Sequence, residues 1–444
     1  MSGIAQLLLK SGARVSGSDL KAGRATRELE AMGAKIFIGH RAENIAGADV
    51  VVYSSAVKYD NPEVLQAKLS GLTLIKRAEA LAKLMHDKTV ITVAGSHGKT
   101  TTTSLASFLL LEAGLSPTVA IGGILNNINT NACLGKGEFF VAEADESDGS
   151  FLHYRPKFSV ITNIDREHLD YYHDFENELK AFKDFIGNTD PKGCVFYCAD
   201  DVNLRNLMVD YKFKSVSFGL AKRAEIYPEN LKISGLSSDF DCIYKGRLLG
   251  GFHLALGGEH NISNALSVIG LGLELGIDLS FIRNTLANYK GTVRRLEVKF
   301  KDDSVTVIDD YAHHPTEIKV TLSALAKLNC KRLIVVFQPH RFSRTKLLLD
   351  EFAAAFDVAD YIIITDIYAA GEEPIKGVSA GSIFEKIKGR LPVKPVYYLA
   401  KERIVEYLTG LLEPGDLAVT LGAGDIVKLS DELAEELTKK THHF

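Results

Sequence analysis

The sequence predicts the α/β class, in three domains. Three observations carry this. Apolar strand-like runs alternate with charged, helix-like segments along most of the 444 residues. Several runs, such as ADVVVYSSAV and RLIVVFQ, are almost continuously apolar, as in parallel strands covered on both faces. The strand TVITVAG passes through a Gly-rich turn directly into a helix, the arrangement of a phosphate loop.

The first expected domain spans 1–88. A helix from about Ser2 to Ser11, ended by Gly12, leads to the strand ARVSGSD. The helix RATRELEAMG, the strand KIFIG, the run ADVVVYSSAV (read as buried on both faces) and the helix AEALAKLMHDK follow. This is a parallel, Rossmann-like unit that begins on a helix, where a doubly wound domain opens with a strand and Gly-rich turn.

The second domain, 89–293, contains TVITVAG, the helix SLASFLLLEAG, the strands GEFFVAEAD and PKFSVITNID, and a long helix at GEHNISNALSVIGLGLELG. Turn residues between Cys194 and about Gly251 predict a β-rich insertion. The third domain, 294–444, alternates strands (SVTVIDDYA, RLIVVFQ, YIIITDI, LAVTLGAG) with helices.

Composition narrows the function. There are 52 Lys and Arg against 56 Asp and Glu, a formal charge of −4, which argues against a general nucleic-acid binder. No run approaches the roughly 20 apolar residues of a membrane helix. The start MSGIAQLLLKSG lacks the basic region of a signal peptide. Five cysteines without metal-ligand spacing read as free thiols in a reducing cytoplasm.

The strongest chemical signal is Gly95-Ser96-His97-Gly98-Lys99-Thr100-Thr101. Amides at a helix N-terminus point at bound phosphate, and glycines let the backbone approach it. Lys99 can reach the β- and γ-phosphates, and the Thr100 hydroxyl can hold Mg²⁺. Val93 stands where the general pattern has its first glycine, so this is a shortened loop. A second signal, Glu143-Ala144-Asp145-Glu146-Ser147-Asp148, places carboxylates after a buried-type strand, where ATP chemistry needs oxygen ligands for Mg²⁺. A third, Asn163 to Asp170 with His168, follows another strand end. Ligands of open α/β sheets bind beyond such ends.

Together GSHGKTTTT, EADESDGSF, NIDREHLDYY, GEHNISNALS, RRLEV, DDYAHHPTEI, QPHRFSRT and LGAGDI resemble the Mur ligases, in the family's order and over nearly the whole chain. The ESDGSF and YAHHPTEI variants resemble the branch that joins L-alanine to UDP-N-acetylmuramic acid in peptidoglycan synthesis. The resemblance implies a UDP-sugar domain, a central P-loop ATPase domain and a mobile C-terminal domain. It also implies ATP-dependent amide formation through an acyl phosphate, with ATP and Mg²⁺ as cofactors, by a monomer or homodimer. By this resemblance Lys99 neutralises the transferring phosphoryl group, Thr100 and Glu143 hold one Mg²⁺, and His168 serves a second metal site. His260, Asn261 and Asn264 lie near adenine and Asp310 near the ribose. Arg295 reaches the γ-phosphate, with Arg294 as the alternative. Tyr311, His313, Arg341 and Arg344 line the alanine and acyl-phosphate side. Arg77, Asp19, Ser54 and Ser55 are candidates for the UDP-sugar.

Family members begin with a strand and a GIGG-type turn, and Met1-Ser2-Gly3 aligns with the end of that turn. The expectation is therefore a first sheet without its central strand, and weakened UDP-sugar binding. Alternatives are a murein-peptide recycling ligase, a P-loop NTPase without ligation, and a UDP-sugar binder without catalysis.

Overall fold

The computed structural model describes residues 1–54 and 56–441, the side chain of Asp170 excepted. Two compact units form. The first comprises Met1–Asn230, Phe240–Phe252 and Ser263–Tyr289; the second comprises Leu231–Asp239, His253–Ile262 and the described residues from Lys290 on. The expected first domain and most of the second thus share one unit. Among the described residues no helix is long and apolar enough to cross a membrane.

The first unit opens on the helix Ser2–Lys10, then β1 (Ser16–Asp19), the helix Arg24–Ala31, β2 (Lys35–Ile38), β3 (Val50–Tyr53), the helix Pro62–Leu69 and β4 (Thr73–Lys76). β1 pairs in parallel with β2, and β3 with β4, as two separate two-stranded sheets. This corrects the reading of ADVVVYSSAV as a strand buried on both faces. Val50 is 46% exposed and the rest of β3 only partly buried, because β3 has a single strand neighbour. The helix Pro62–Leu69 and β4 were not singled out in the sequence. Asn61 caps that helix, its side chain accepting from Glu63 N at 2.9 Å.

A ten-stranded sheet follows, built from β5 (Thr89–Ala94), β6 (Thr118–Leu125), β7 (Thr130–Cys133), β8 (Phe139–Glu143), β9 (Phe158–Ile161), β10 (Cys194–Cys198), β11 (Ser215–Phe218), β12 (Ile226–Ser234), β13 (Ser237–Tyr244) and β14 (Arg247–Leu254). Its order is β14-β13-β12-β11-β10-β9-β5-β8-β6-β7. β5 lies between β8 and β9, parallel to both. The expected β-rich stretch between Cys194 and about Gly251 supplies β10 to β14. β10 and β11 continue the parallel sheet, and β12 to β14 extend its end. Apolar runs at β5, β8, β9 and β10 are buried with little interruption, as strands covered on both faces require.

The second unit carries β15 (Glu297–Lys301), β16 (Val305–Asp310), β17 (Arg332–Phe337), β18 (Tyr361–Ile364), β19 (Val396–Tyr398) and β20 (Asp416–Leu421), in the order β15-β16-β20-β17-β18-β19. β15 is antiparallel and the other pairings are parallel. Side chains alternate between two cores. Val335, Phe337, Ile362 and Val419 enter one, while Ile334, Val336, Ile363 and Ala418 enter the other. Period-two alternation with both faces covered makes these strands uniformly apolar.

Candidate active site

In the first unit the chemistry gathers at the carboxyl ends of the neighbouring strands β8, β5 and β9. β5 turns at Gly95 (φ 127°), where a Cβ would stand 2.2 Å from Thr162 Oγ1 and 2.9 Å from the Asn163 carbonyl oxygen. Only glycine permits that approach. At Gly98 (φ 83°) a Cβ would stand 2.8 Å from Asn264 Oδ1. The loop between them is clamped by the end of β9. Ser96 N donates to the Asn163 carbonyl (3.1 Å), His97 N to Asn163 Oδ1 (2.9 Å) and Asp165 N to Ser96 Oγ (2.8 Å). His97 Nε2 lies 2.9 Å from Asp165 Oδ2.

Lys99 and Thr100 open the helix Lys99–Glu112, whose first turn has no acidic residue to compete with an anion. Lys99 Nζ donates to the carbonyls of Gly95 (2.6 Å) and Ser96 (3.0 Å) and to Glu146 Oε1 (2.7 Å). Burial opposes its charge, but the carboxylates of Glu146, Asp145 and Glu143 prevail and hold it protonated well above the usual lysine range. Thr100 Oγ1 donates to Glu143 at 3.0 Å, and Gly122 N donates to the same carboxylate at 3.0 Å. Burial raises the Glu143 carboxyl above its ordinary value, with Lys99 acting against that. Thr101 is buried in the helix rather than exposed on the loop.

His168, in the left-handed region at φ 55°, brings Nε2 to 3.5 Å from Glu146 Oε1 and 3.6 Å from Glu167 Oε2. These three residues offer ligand atoms within 4.8 Å of one another. Glu146 is fully buried, and its Oε2 has no hydrogen-bond partner. A buried carboxylate oxygen left unpaired beside an imidazole and a second carboxylate suits a hard divalent cation. The Thr100–Glu143 pair offers oxygen ligands of the same kind. Near them Glu178 is fully buried, and burial pushes its carboxyl up to about 8 against a lowering backbone contact from Glu167.

The candidates for the sugar nucleotide are spread along the first two sheets. Asp19 ends β1, exposed, and its carboxylate accepts from Lys21 N at 3.1 Å. Ser54 Oγ accepts from Ala56 N at 3.1 Å; Ser55 lies outside the described residues. Arg77 reaches Asp145 Oδ2 at 3.2 Å, which ties the start of its helix to the acidic turn after β8. Ser18, His40 and Glu63 form a local polar cluster at this end. Ser18 Oγ donates to Glu63 Oε2 (2.7 Å) and lies 2.9 Å from His40 Nδ1.

In the second unit, the structure separates the adjacent arginines. Arg294 is structural: Nε donates to Asp309 Oδ2 (2.9 Å), and its other nitrogens to the carbonyls of Gly424 (2.9 Å) and Gly422 (2.6 Å). Arg295 is half-buried, its guanidinium 3.6 Å from Glu317 Oε1 and 5.1 Å from the centre of the Tyr311 ring. Asp310 is 4% exposed and accepts from Leu296 N (2.7 Å) and Ala312 N (2.8 Å), bracing the turn. Burial raises its carboxyl to about 6.

His313 Nδ1 lies 3.2 Å from Glu317 Oε2, and its ring stands edge-on to Tyr311 and His340. Arg344 Nη1 approaches His340 Nδ1 at 3.4 Å. Burial, then the charges of His313, Arg344 and Arg341, push His340 down to about 3, so it accepts as a neutral ring. Arg341 holds φ at 68° and starts the helix Phe342–Leu347. His260 is pushed down to about 4 by burial and by Arg295. The Asn261 side chain donates to the Gly257 carbonyl at 2.7 Å. The three expected adenine residues all lie on the helix Glu259–Glu274, with Asn264 against Gly98 of the phosphate loop.

Three Mur ligase models match in order: the "Mur ligase family, catalytic domain" over residues 1–89, the middle domain over 93–272 and the "glutamate ligase domain" over 294–424. A UDP-N-acetylmuramate–L-alanine ligase of Geotalea uraniireducens (strain Rf4) is 46% identical over 98% of this chain and 95% of its own. The chain belongs to the Mur ligase family.

The solved UDP-N-acetylmuramate–alanine ligase of Thermotoga maritima superposes with a TM-score of 0.85 at 29% identity, covering 99% of this chain and 97% of that one. A murein peptide ligase of Psychrobacter arcticus 273-4 shares the fold, with a TM-score of 0.71 at 23% identity over 98% of this chain and 96% of that one. Within this Mur ligase, sequence reasoning pointed to the runs that hold Glu146, Asn163 and Asp165 but gave no task to Glu178 and Glu317. Glu317 carried a readable signal: it is the third residue of the helix Pro315–Leu325, where a Glu reaches back to the cap.

Proposed function

We propose that this Mur ligase uses ATP to join L-alanine to the carboxylate of UDP-N-acetylmuramic acid. The observation that carries the reading is the Lys99 ammonium, fixed at the start of a helix beside Glu143 and Glu146, in a chain nearly half identical to ligases of that name. Lys99 and the helix amides meet the charge of the transferring phosphoryl group. The γ-phosphoryl group passes to the muramoyl carboxylate, giving ADP and an acyl phosphate. The amine of alanine attacks the acyl carbon, loses a proton and expels phosphate. Thr100 with Glu143, and His168 with Glu146 and Glu167, would hold divalent cations, Mg²⁺ by preference, which screen the repulsion between phosphate and carboxylate oxygens.

Arg295 stabilises charge on the γ-phosphate. Tyr311, His313, Arg341 and Arg344 serve the alanine and acyl-phosphate side, since paired guanidiniums suit a carboxylate or phosphate. His260, Asn261, Asn264 and Asp310 serve the nucleoside of ATP; Arg77, Asp19 and Ser54 serve the UDP-sugar. The enzyme works in the cytoplasm as a monomer or homodimer, in keeping with its free cysteines.

The test is phosphate release with each substrate withheld in turn. Release should require ATP, UDP-N-acetylmuramic acid and L-alanine together. Release without the amino acid would favour a plain NTPase, and preference for a tripeptide over alanine would favour murein-peptide recycling.

A further inference from the structure

The segment that carries Arg295 is an unusual piece of backbone. Arg294 and Leu296, on either side of it, both lie in the left-handed region, at φ 63° and 47°. Neither is glycine, and such conformations persist only where the surroundings over-determine them. Here four hydrogen bonds do so. Arg295 N donates to the Thr292 carbonyl (3.1 Å), Tyr311 N to the Arg294 carbonyl (2.8 Å), Arg294 N to Glu297 Oε2 (2.7 Å) and Leu296 N to Asp310 Oδ2 (2.7 Å).

The Arg294 side chain fastens this turn to the sheet. Its guanidinium joins Asp309, fully buried at the end of β16, to the carbonyls of Gly422 and Gly424 beyond β20. Thr420 Oγ1 holds the other Asp309 oxygen at 2.6 Å. The LGAGDI motif, which sequence reading left without a task, thereby supplies two carbonyls to one planar fork. Arg294 and Arg295 lie equally close to Tyr311, each 5.1 Å from the ring centre, so the two guanidiniums are registered on one aromatic side chain.

We propose that Arg294 and Asp309 are positioning residues for ligation. They lock the 292–297 turn in its strained form and thereby set the direction from which the Arg295 guanidinium meets the phosphate. The proposal rests on the reading of Arg295 given above. A planar fork bonded to three acceptors can hold such a turn, whereas an ammonium supplies a point charge only.

The test is a double-mutant cycle in the full-length protein, with kcat, KM for each substrate and thermal melting as readouts. Arg295→Ala should lower kcat by roughly a hundredfold or more. Arg294→Ala and Asp309→Asn should each lower kcat by about tenfold or more, with every KM within about twofold. In the Arg295→Ala background neither should cause a further loss, because the residue they position is gone. Arg294→Lys should fall between wild type and Arg294→Ala. Should Arg294→Ala fail to fold, the lysine variant completes the cycle. Equal losses in both backgrounds, or an unchanged kcat in Arg294→Ala, would overturn the positioning role while leaving Arg295 in place. Near-normal turnover in Arg295→Ala would instead remove the reading beneath it.

Discussion

Lys99 and Glu146 are joined by a 2.7 Å charge-assisted hydrogen bond, with the glutamate side chain fully buried and the lysine side chain 14% exposed. Glu146 also approaches His168, so one carboxylate links the phosphate-loop lysine to the second candidate cation site. Removing either partner has two separable consequences.

Lys99→Ala should reduce ligation by roughly a thousandfold or more, since the transferring phosphoryl group loses its principal counter-charge. It should also destabilise the fold by roughly 3 kcal/mol, because Glu146 is left buried without its cation. Adding Glu146→Gln should restore most of the stability and none of the activity. Urea denaturation beside product formation separates the two effects; a double variant as unstable as Lys99→Ala alone would contradict the pairing.

Gly122 has no Cβ for a local reason. One placed there would stand 2.6 Å from Glu143 Oε2, the carboxylate that also accepts from Thr100. Gly122→Ala should displace Glu143 and raise the Mg²⁺ concentration for half-maximal activity by about tenfold. A magnesium titration at saturating ATP measures this, and an unmoved midpoint would exclude Glu143 from cation binding.

The His260 value of about 4 lies below the ordinary histidine value of 6.5, with burial the main cause and Arg295 the second. Between these two values the unfolded chain binds more protons than the folded one, so stability rises with pH. The contribution is complete above about pH 6.5 and is lost as pH falls through about 4. It amounts to less than roughly 3 kcal/mol, because the ring is only partly buried. His260→Gln should flatten this acid limb, read from urea midpoints at pH 4 and pH 7. Parallel slopes in the two proteins would show that other groups titrate there.

The α/β class, the phosphate loop and the acidic turn were legible in the residues, because each is a local arrangement. Periodicity marks a strand, and a Gly-Lys-Thr run marks a strand-to-helix turn whatever surrounds it. Less legible were β4, β6, β7, β15 and β19, which are short or neighbour turns, and whose place depends on their partners.

Pairing across distance is what tertiary structure alone decided. Sequence set Arg294 and Arg295 side by side, with Arg295 preferred for the γ-phosphate; folding gave Arg294 to Asp309 and two glycine carbonyls and set Arg295 beside Glu317. Sequence offered a run of carboxylates, and folding assigned Glu143 to Thr100, Asp145 to Arg77 and Glu146 to Lys99. The reason is that alternation and turn chemistry act over a few residues, whereas burial and charge pairing depend on which strand ends become neighbours.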